Sequence, residues 1–346
     1  MPRENFKTTL TTDPLNDILG QDKAKKLLKS ALIVDRHIVI VGPPGVGKTT
    51  IAKNIAKVLP ELEVMDCGFH CLPERPVCPE CLSGKTNDRK VIKGAQRFIR
   101  VQGSPDLTAE DLLGDIDPIK ALEFGPLSTE AFTPGKIFKA NNGILFFDEL
   151  NRCPEKLQNA LLQALSEGRV TIGSYDIDFA TDFIFIATMN PEDSNTEQLS
   201  DVLLDRFDAI YMTYPEDEVT ESHIVRQKGK KIIDVPEDML TLMVGLVRSL
   251  RSDKNLEKVP SVRASLGLYE RSQANAKLHG RKSVSVIDVE EVLDSVITHR
   301  IRLKPSVRLL KNADEFVREE FEEVKKKLRI SDSNVHIKED KSGGSL

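Results

Sequence analysis

A lysine and a threonine closing a glycine-rich run are the residues of this chain best suited to chemistry on a polyphosphate. The run is Gly42-Pro43-Pro44-Gly45-Val46-Gly47-Lys48-Thr49, followed by Thr50. It fits the spacing G-x-x-x-x-G-K-[ST]. His37-Ile38-Val39-Ile40-Val41 precedes it, a short β-branched apolar stretch that reads as a buried strand. From Thr49 to Leu59, Ile51, Ala52, Ile55, Ala56 and Leu59 recur at helical spacing. The glycines therefore fall on a strand-to-helix turn, where backbone N–H groups and the helix N-terminus face an anion. Lys48 is placed to reach the β- and γ-phosphates of a nucleotide, and Thr49 to offer its hydroxyl to Mg²⁺. The bland alternative, a turn that only joins strand to helix, does not account for the Lys-Thr pair or for both flanks.

Other side chains fit hydrolysis at such a site. Ile144-Leu145-Phe146-Phe147-Asp148-Glu149 is an apolar strand ending in two acids. Asp148 could bind Mg²⁺ through its shell, and Glu149 could orient and polarise an attacking water. Asn190, just beyond the buried run Phe183–Thr188, could hold the same water; the plain alternative is a turn residue before Pro191. In Leu203-Leu204-Asp205-Arg206-Phe207-Asp208, Arg206 could reach a neighbouring subunit's γ-phosphate, because its planar fork suits charge spread over several oxygens. A surface ion pair with Asp205 or Asp208 is the competing reading. Arg263, in Pro260-Ser261-Val262-Arg263, opens a helix and could touch nucleotide; a solvated helix-start arginine is the alternative.

Four of the five cysteines, Cys67, Cys71, Cys78 and Cys81, lie in the spacing C-x3-C-x6-C-x2-C. Four thiolates this close suit a tetrahedral Zn²⁺ site, with an iron–sulfur cluster or free thiols as alternatives and His70 as a substitute ligand. Four ligands leave no open position, so the site reads as structural. The loop holds few apolar residues and several prolines, so it is expected not to bury a core of its own. Cys153 stands alone and reads as a small buried hydrophobe.

These residues need a frame. Strands alternate with helices up to Tyr214, and only helices are expected from Pro236 to His299, at Glu237–Leu250, Val262–Leu278 and Val286–Ile301. This predicts an α/β fold, a three-layer αβα parallel sheet with a C-terminal helical lid. The domains expected are 1–214 for nucleotide binding, with the Cys-rich insertion at 60–95, a linker at 215–235, the lid at 236–310, and a charged helix with a disordered tail at 311–346. Val170-Thr171-Ile172 and Ile177-Asp178-Phe179 alternate around Gly173-Ser174 as a hairpin. The 346 residues are 40% hydrophobic and 30% charged with a net charge of −5, an ordinary globular balance that argues against bulk nucleic-acid affinity. No run of 18 apolar residues and no apolar leader core occur, so no membrane span and a cytoplasmic, reducing location are expected.

The order of these motifs resembles an AAA+ ATPase. Several stretches are similar to the magnesium-chelatase ATPase subunit and to MoxR-type ATPases: Asp111-Leu112-Leu113-Gly114-Asp115-Ile116-Asp117, Phe132-Thr133-Pro134-Gly135, Lys139-Ala140-Asn141-Asn142-Gly143, Thr188-Met189-Asn190-Pro191-Glu192 and His299-Arg300-Ile301-Arg302-Leu303. The resemblance covers about residues 10–305. It implies ATP and Mg²⁺ at Lys48 and Thr49, Walker B acids at Asp148 and Glu149, sensor 1 at Asn190, an arginine finger at Arg206 and sensor 2 at Arg263. It also implies a ring, expected to be a hexamer, and a partner with a von Willebrand A domain. The stretch between Tyr214 and Pro236 is shorter than in chelatase subunits, and Pro260-Ser261-Val262-Arg263-Ala264 looks more like the MoxR pattern. Alternatives are the ATPase subunit of a tetrapyrrole metal chelatase and a helicase-like DNA motor. The latter would carry basic residues at the hairpin tip, which here is Gly173-Ser174-Tyr175-Asp176.

Overall fold

Five apolar runs become one parallel sheet: β1 (His37–Val41), β2 (Phe98–Gln102), β3 (Ile144–Asp148), β4 (Ile184–Met189) and β5 (Phe207–Tyr211). In this computed structural model, which describes residues 2–13, 15–125, 128–172, 177–191 and 199–330, the strand order is β5-β1-β4-β3-β2. Every neighbouring pair is parallel. A parallel sheet is covered on both faces, which is why its strands read as unbroken apolar runs. Ile38, Ile40, Ile144, Phe146, Ile184 and Ile186 point to one core. Val39, Val41, Leu145, Phe147, Phe185 and Ala187 point to the other. Helices Asp22–Ile33 and Lys48–Val58 close the first face, and helix Glu155–Glu167 closes the second. Burying one such side chain stabilises the fold by about 1.5–3 kcal/mol. The registers bring the carboxyl ends of β1, β4 and β3 side by side, with Val41 opposite Met189 and Ala187 opposite Phe147. Open α/β sheets bind ligands at that edge.

The chain divides into two compact units, Met1–Thr213 and Tyr214–Leu346. In the first, the insertion at 60–95 is more ordered than its composition suggests. Leu62–Met65 pairs antiparallel with Arg89–Ile92, and Pro79–Leu82 is a short helix. It has no core of its own, as expected, and instead joins the sheet's core on the Phe147 side. The Phe69 ring lies 5.1 Å from that of Phe138 and 5.6 Å from that of Phe179, and Cys67, Cys71 and Cys78 are buried with them. One well-placed aromatic outweighed the low apolar count. Strands Arg169–Ile172 and Ile177–Ala180 pair as the expected hairpin. The hairpin tip at Gly173–Asp176, Glu192 and the tail from Ser331 lie outside the described residues.

In the second unit, the 215–235 stretch expected to be a linker carries a helix, Glu218–Lys228. The expectation of helices alone also fails there, since Leu256–Lys258 pairs with Arg302–Leu303. The long helix expected at Val286–Ile301 is instead two short ones, Val286–Glu290 and Leu293–Ile297. Val286, Val289, Leu293, Val296 and Ile297 are buried on both sides of the break, so the apolar spacing conceals it. Glu221 is fully buried, and its carboxylate accepts from Arg251 at 2.8 and 3.0 Å and from Ser265 Oγ at 2.7 Å. A buried charge is tolerated when paired and hydrogen-bonded in this way. No described helix is long and apolar enough to cross a membrane.

Candidate active site

The loop from Gly42 to Thr49 leaves β1 and enters the helix Lys48–Val58. Gly45 and Gly47 have φ of 77° and 99°, a left-handed backbone that glycine adopts without strain. Gly42 donates its N–H to the Met189 carbonyl at 3.1 Å, tying the loop to the end of β4. Lys48 Nζ donates to the carbonyls of Gly42 at 2.5 Å and Pro43 at 2.9 Å, so its charge lies along the loop.

Asp148 ends β3 and is only 9% exposed. Thr49 Oγ1 donates to Asp148 Oδ2 at 3.4 Å, which joins the start of the helix to the end of β3 across 99 residues of chain. Adjacent ligands on an octahedral Mg²⁺ lie about 3 Å apart, so this oxygen pair fits one ion between them. Thr188 Oγ1 donates to Asp148 Oδ1 at 2.6 Å and accepts from the Glu149 N–H at 2.9 Å. Glu149 has φ of 59°, an unusual conformation for a non-glycine residue that turns the chain sharply after the strand. Its Oε2 accepts from Gln102 Nε2 at 2.9 Å and pairs with Arg152 at 3.0 Å. Asn190 follows β4, and its carbonyl accepts from Asn151 Nδ2 at 3.2 Å.

Lys48, Thr49, Asp148, Glu149 and Asn190 thus converge at one edge of the sheet. Arg206 makes its hydrogen bonds elsewhere, through Nε to Ser166 Oγ at 3.1 Å and Nη1 to Asp205 Oδ2 at 3.2 Å. Asp208, the other candidate partner, pairs with Arg36 at 3.1 Å. Arg263 lies exposed in the second unit, in the first turn of Val262–Leu278, where its N–H donates to Ser261 Oγ at 3.3 Å. Sequence reasoning missed Arg100, Gln102, Gly103 and Arg152. Arg100 Nη2 donates to Asp148 Oδ2 at 2.6 Å and to Gln102 Oε1 at 3.0 Å. A cation inside the otherwise apolar run Phe98-Ile99-Arg100-Val101 was the available signal.

The sulfurs of Cys67, Cys71, Cys78 and Cys81 all lie within 4.8 Å of one another. Tetrahedral Zn–S geometry needs edges of about 3.8 Å, so a small contraction suffices. Backbone N–H groups already aim at the sulfurs: Cys71 to Cys67 at 3.5 Å, Val77 and Cys78 to Cys71 at 3.3 and 3.4 Å, and Cys81 to Cys78 at 3.5 Å. Thiol hydrogen bonds from Cys71 and Cys78 pull the Cys67 thiol well below the usual range. Burial pushes Cys81 up to about 12. His70 lies outside this quartet, so the expectation of a substitute histidine ligand is not met. Burial lowers its imidazole below the usual value.

Comparison with known proteins gives the same picture. Residues 14–68 match the family described as magnesium chelatase, subunit ChlI. Residues 81–209 match the ATPase family associated with various cellular activities, and residues 257–320 an AAA lid domain. The magnesium-chelatase subunit ChlI homolog of Methanocaldococcus jannaschii is 28% identical over 322 residues, spanning 84% of this chain and 86% of its own. The uncharacterized protein YeaC of Bacillus subtilis is 28% identical over 316 residues, spanning 84% and 85%. Among solved structures, NtrX from Brucella abortus in complex with ADP superposes with a TM-score of 0.50 at 16% identity, covering 92% of this chain and 65% of that one, a likeness of fold. ATP and Mg²⁺ are the cofactors that follow. With its P-loop sheet, its lid-domain match and these relatives, the chain is a magnesium-chelatase-subunit- and MoxR-like AAA+ ATPase, an enzyme that hydrolyses ATP.

Proposed function

We propose that the edge formed by β1, β3 and β4 hydrolyses MgATP between the subunits of a homo-oligomeric ring, a hexamer. The observation that carries this is the contact of Thr49 with Asp148 beside the glycine loop, because it unites a phosphate cradle with a metal shell. Residues 42–50 wrap the phosphates, with the backbone N–H groups of Gly45 to Thr50 as donors, and Lys48 turns from its loop carbonyls to the β/γ-oxygens. Thr49 and Asp148 would hold Mg²⁺, which would offset phosphate charge. Glu149 takes the proton of the attacking water as oxygen bonds to the γ-phosphorus and the bond to ADP breaks, and Asn190 aligns that water. Arg206 enters from the adjacent subunit, and Arg263 of the lid contacts the nucleotide. Lys48→Ala should lose nucleotide binding. Glu149→Gln should keep ATP binding and turn it over about a hundredfold or more slowly; turnover equal to wild type would sink the assignment of Glu149.

The ring would remodel a partner protein, with a von Willebrand A-domain protein as the expected class. The match of residues 14–68 to the chelatase subunit favours a second reading, ATP-driven metal insertion into a tetrapyrrole. The four cysteines form a structural Zn²⁺ site, with an iron–sulfur cluster as the alternative, and a reducing cytoplasm suits them. Capture with Glu149→Gln in ATP, which holds the assembled state, should identify the partner.

A further inference from the structure

The oxygen of Asp148 that faces Thr49 is also the oxygen that accepts from Arg100. Arg100 Nη2 sits 2.6 Å from Asp148 Oδ2, and Thr49 Oγ1 sits 3.4 Å from the same atom. A guanidinium at hydrogen-bond distance and a divalent ion held there through its coordination shell would compete for that oxygen face, because two cations so close repel. The two partners differ in burial: the Asp148 side chain is 13% exposed and that of Arg100 is 48% exposed. The carboxylate is fixed at the strand end by Thr188, whereas Arg100 projects from β2, the edge strand of the sheet, and can swing into water. Gln102, two residues along the same strand, steadies the arginine through its Oε1 at 3.0 Å.

From this geometry we propose that Arg100 is a cation stand-in for Mg²⁺. It neutralises Asp148 while the metal is away and must leave Oδ2 for the metal to bind, so it sets the Mg²⁺ concentration at which the nucleotide site fills. The inference rests on the reading of Thr49 and Asp148 as the Mg²⁺ shell. Arg100 is a positioning residue here and takes no part in bond making. Half-exposed ion pairs are weak, so the arginine is displaced readily, and its removal favours the metal by a modest factor.

The test is equilibrium binding of a fluorescent ATP analogue to the full chain, at one sub-saturating analogue concentration, from EDTA through graded Mg²⁺. Arg100→Ala should move the Mg²⁺ midpoint down about three- to tenfold, with affinity at saturating Mg²⁺ kept within about twofold. Arg100→Lys, which retains a cation, should return most of the shift. Arg100→Gln serves as a second charge-free variant, and circular dichroism reports whether each is folded. A midpoint that is unchanged or raised, or lost affinity at saturating Mg²⁺, overturns the proposal, since Arg100 would then be ordering Asp148 or binding phosphate itself. Thr49→Ala separates the two readings. If wild type responds to Mg²⁺ and Thr49→Ala responds identically, the assignment of the metal shell fails, whatever Arg100 does.

Discussion

Gly103 illustrates how a missing side chain shapes this site. A Cβ there would lie 2.0 Å from the Glu149 carbonyl oxygen, and the Gly103 N–H donates to the Asp148 carbonyl at 2.7 Å. Gly103→Ala should therefore push away the turn that carries Glu149. We expect a loss of about 1–3 kcal/mol in urea unfolding together with a fall in kcat; an alanine variant matching wild type in both would contradict the close approach. Spacing alone exposed Lys48, Thr49, Asp148 and Glu149, because a strand, a turn and a helix written consecutively dictate where they sit. Nothing in the spacing exposed Arg100 or Gln102. Their partners lie across a parallel pairing in which Gln102 stands opposite Asp148, and that register is set by packing of whole strands.

At the scale of elements, the cysteine insertion makes the sharpest prediction. Purified protein should hold about one Zn²⁺ per chain on Cys67, Cys71, Cys78 and Cys81. Elemental analysis finding neither zinc nor iron in anaerobically prepared protein would remove the site. The Cys71 and Cys78 thiols are raised by hydrogen bonding within the cluster and Cys81 by burial, so binding must displace protons and the metal should leave as pH falls. Chelation should strip hydrogen-exchange protection from 60–95 and from Phe132–Pro134, while Lys48–Val58 on the opposite face keeps its own. The lid offers a second test at Asp288. Burial opposes its charge, but hydrogen bonds from Arg281 and Ser285 prevail and hold the carboxyl below its usual range. Its stabilising effect is thus complete above about pH 4 and drains as pH falls further. Asp288→Asn should lower Tm at neutral pH, with the gap to wild type closing towards pH 3; a gap independent of pH would refute this. The core strands His37–Val41, Phe98–Gln102, Ile144–Asp148 and Ile184–Met189 and the helix Val262–Leu278 were legible in the sequence, whereas the edge strand Phe207–Tyr211 was not, because its first residues fall in the Arg206 motif. Helix Glu218–Lys228 was not, because only Glu221 and Val225 are fully inward and one of them is charged.

At the scale of the molecule, Arg206 is the residue that calls for more than one copy of the chain. Its side chain is 40% exposed and its ion partner Asp205 is 81% exposed, a pair that contributes little and is easily given up. Arg206→Ala and Lys48→Ala subunits should each be inactive alone and regain part of wild-type ATPase when mixed, since the second supplies its arginine to the intact nucleotide site of the first. Absence of rescue at every ratio would contradict catalysis across an interface. The packing of Phe69 against Phe138 and Phe179 bears on how this protein can be engineered. The cysteine-rich stretch looks removable in the sequence, an appendage between a helix and a strand. Replacing it with a short Gly-Ser bridge would instead uncover Phe132, Phe138 and Phe179, now between 0% and 7% exposed. A truncated chain would present a sticky aromatic face, so trimming for crystallisation or fusion should spare the stretch and graft new sequence elsewhere.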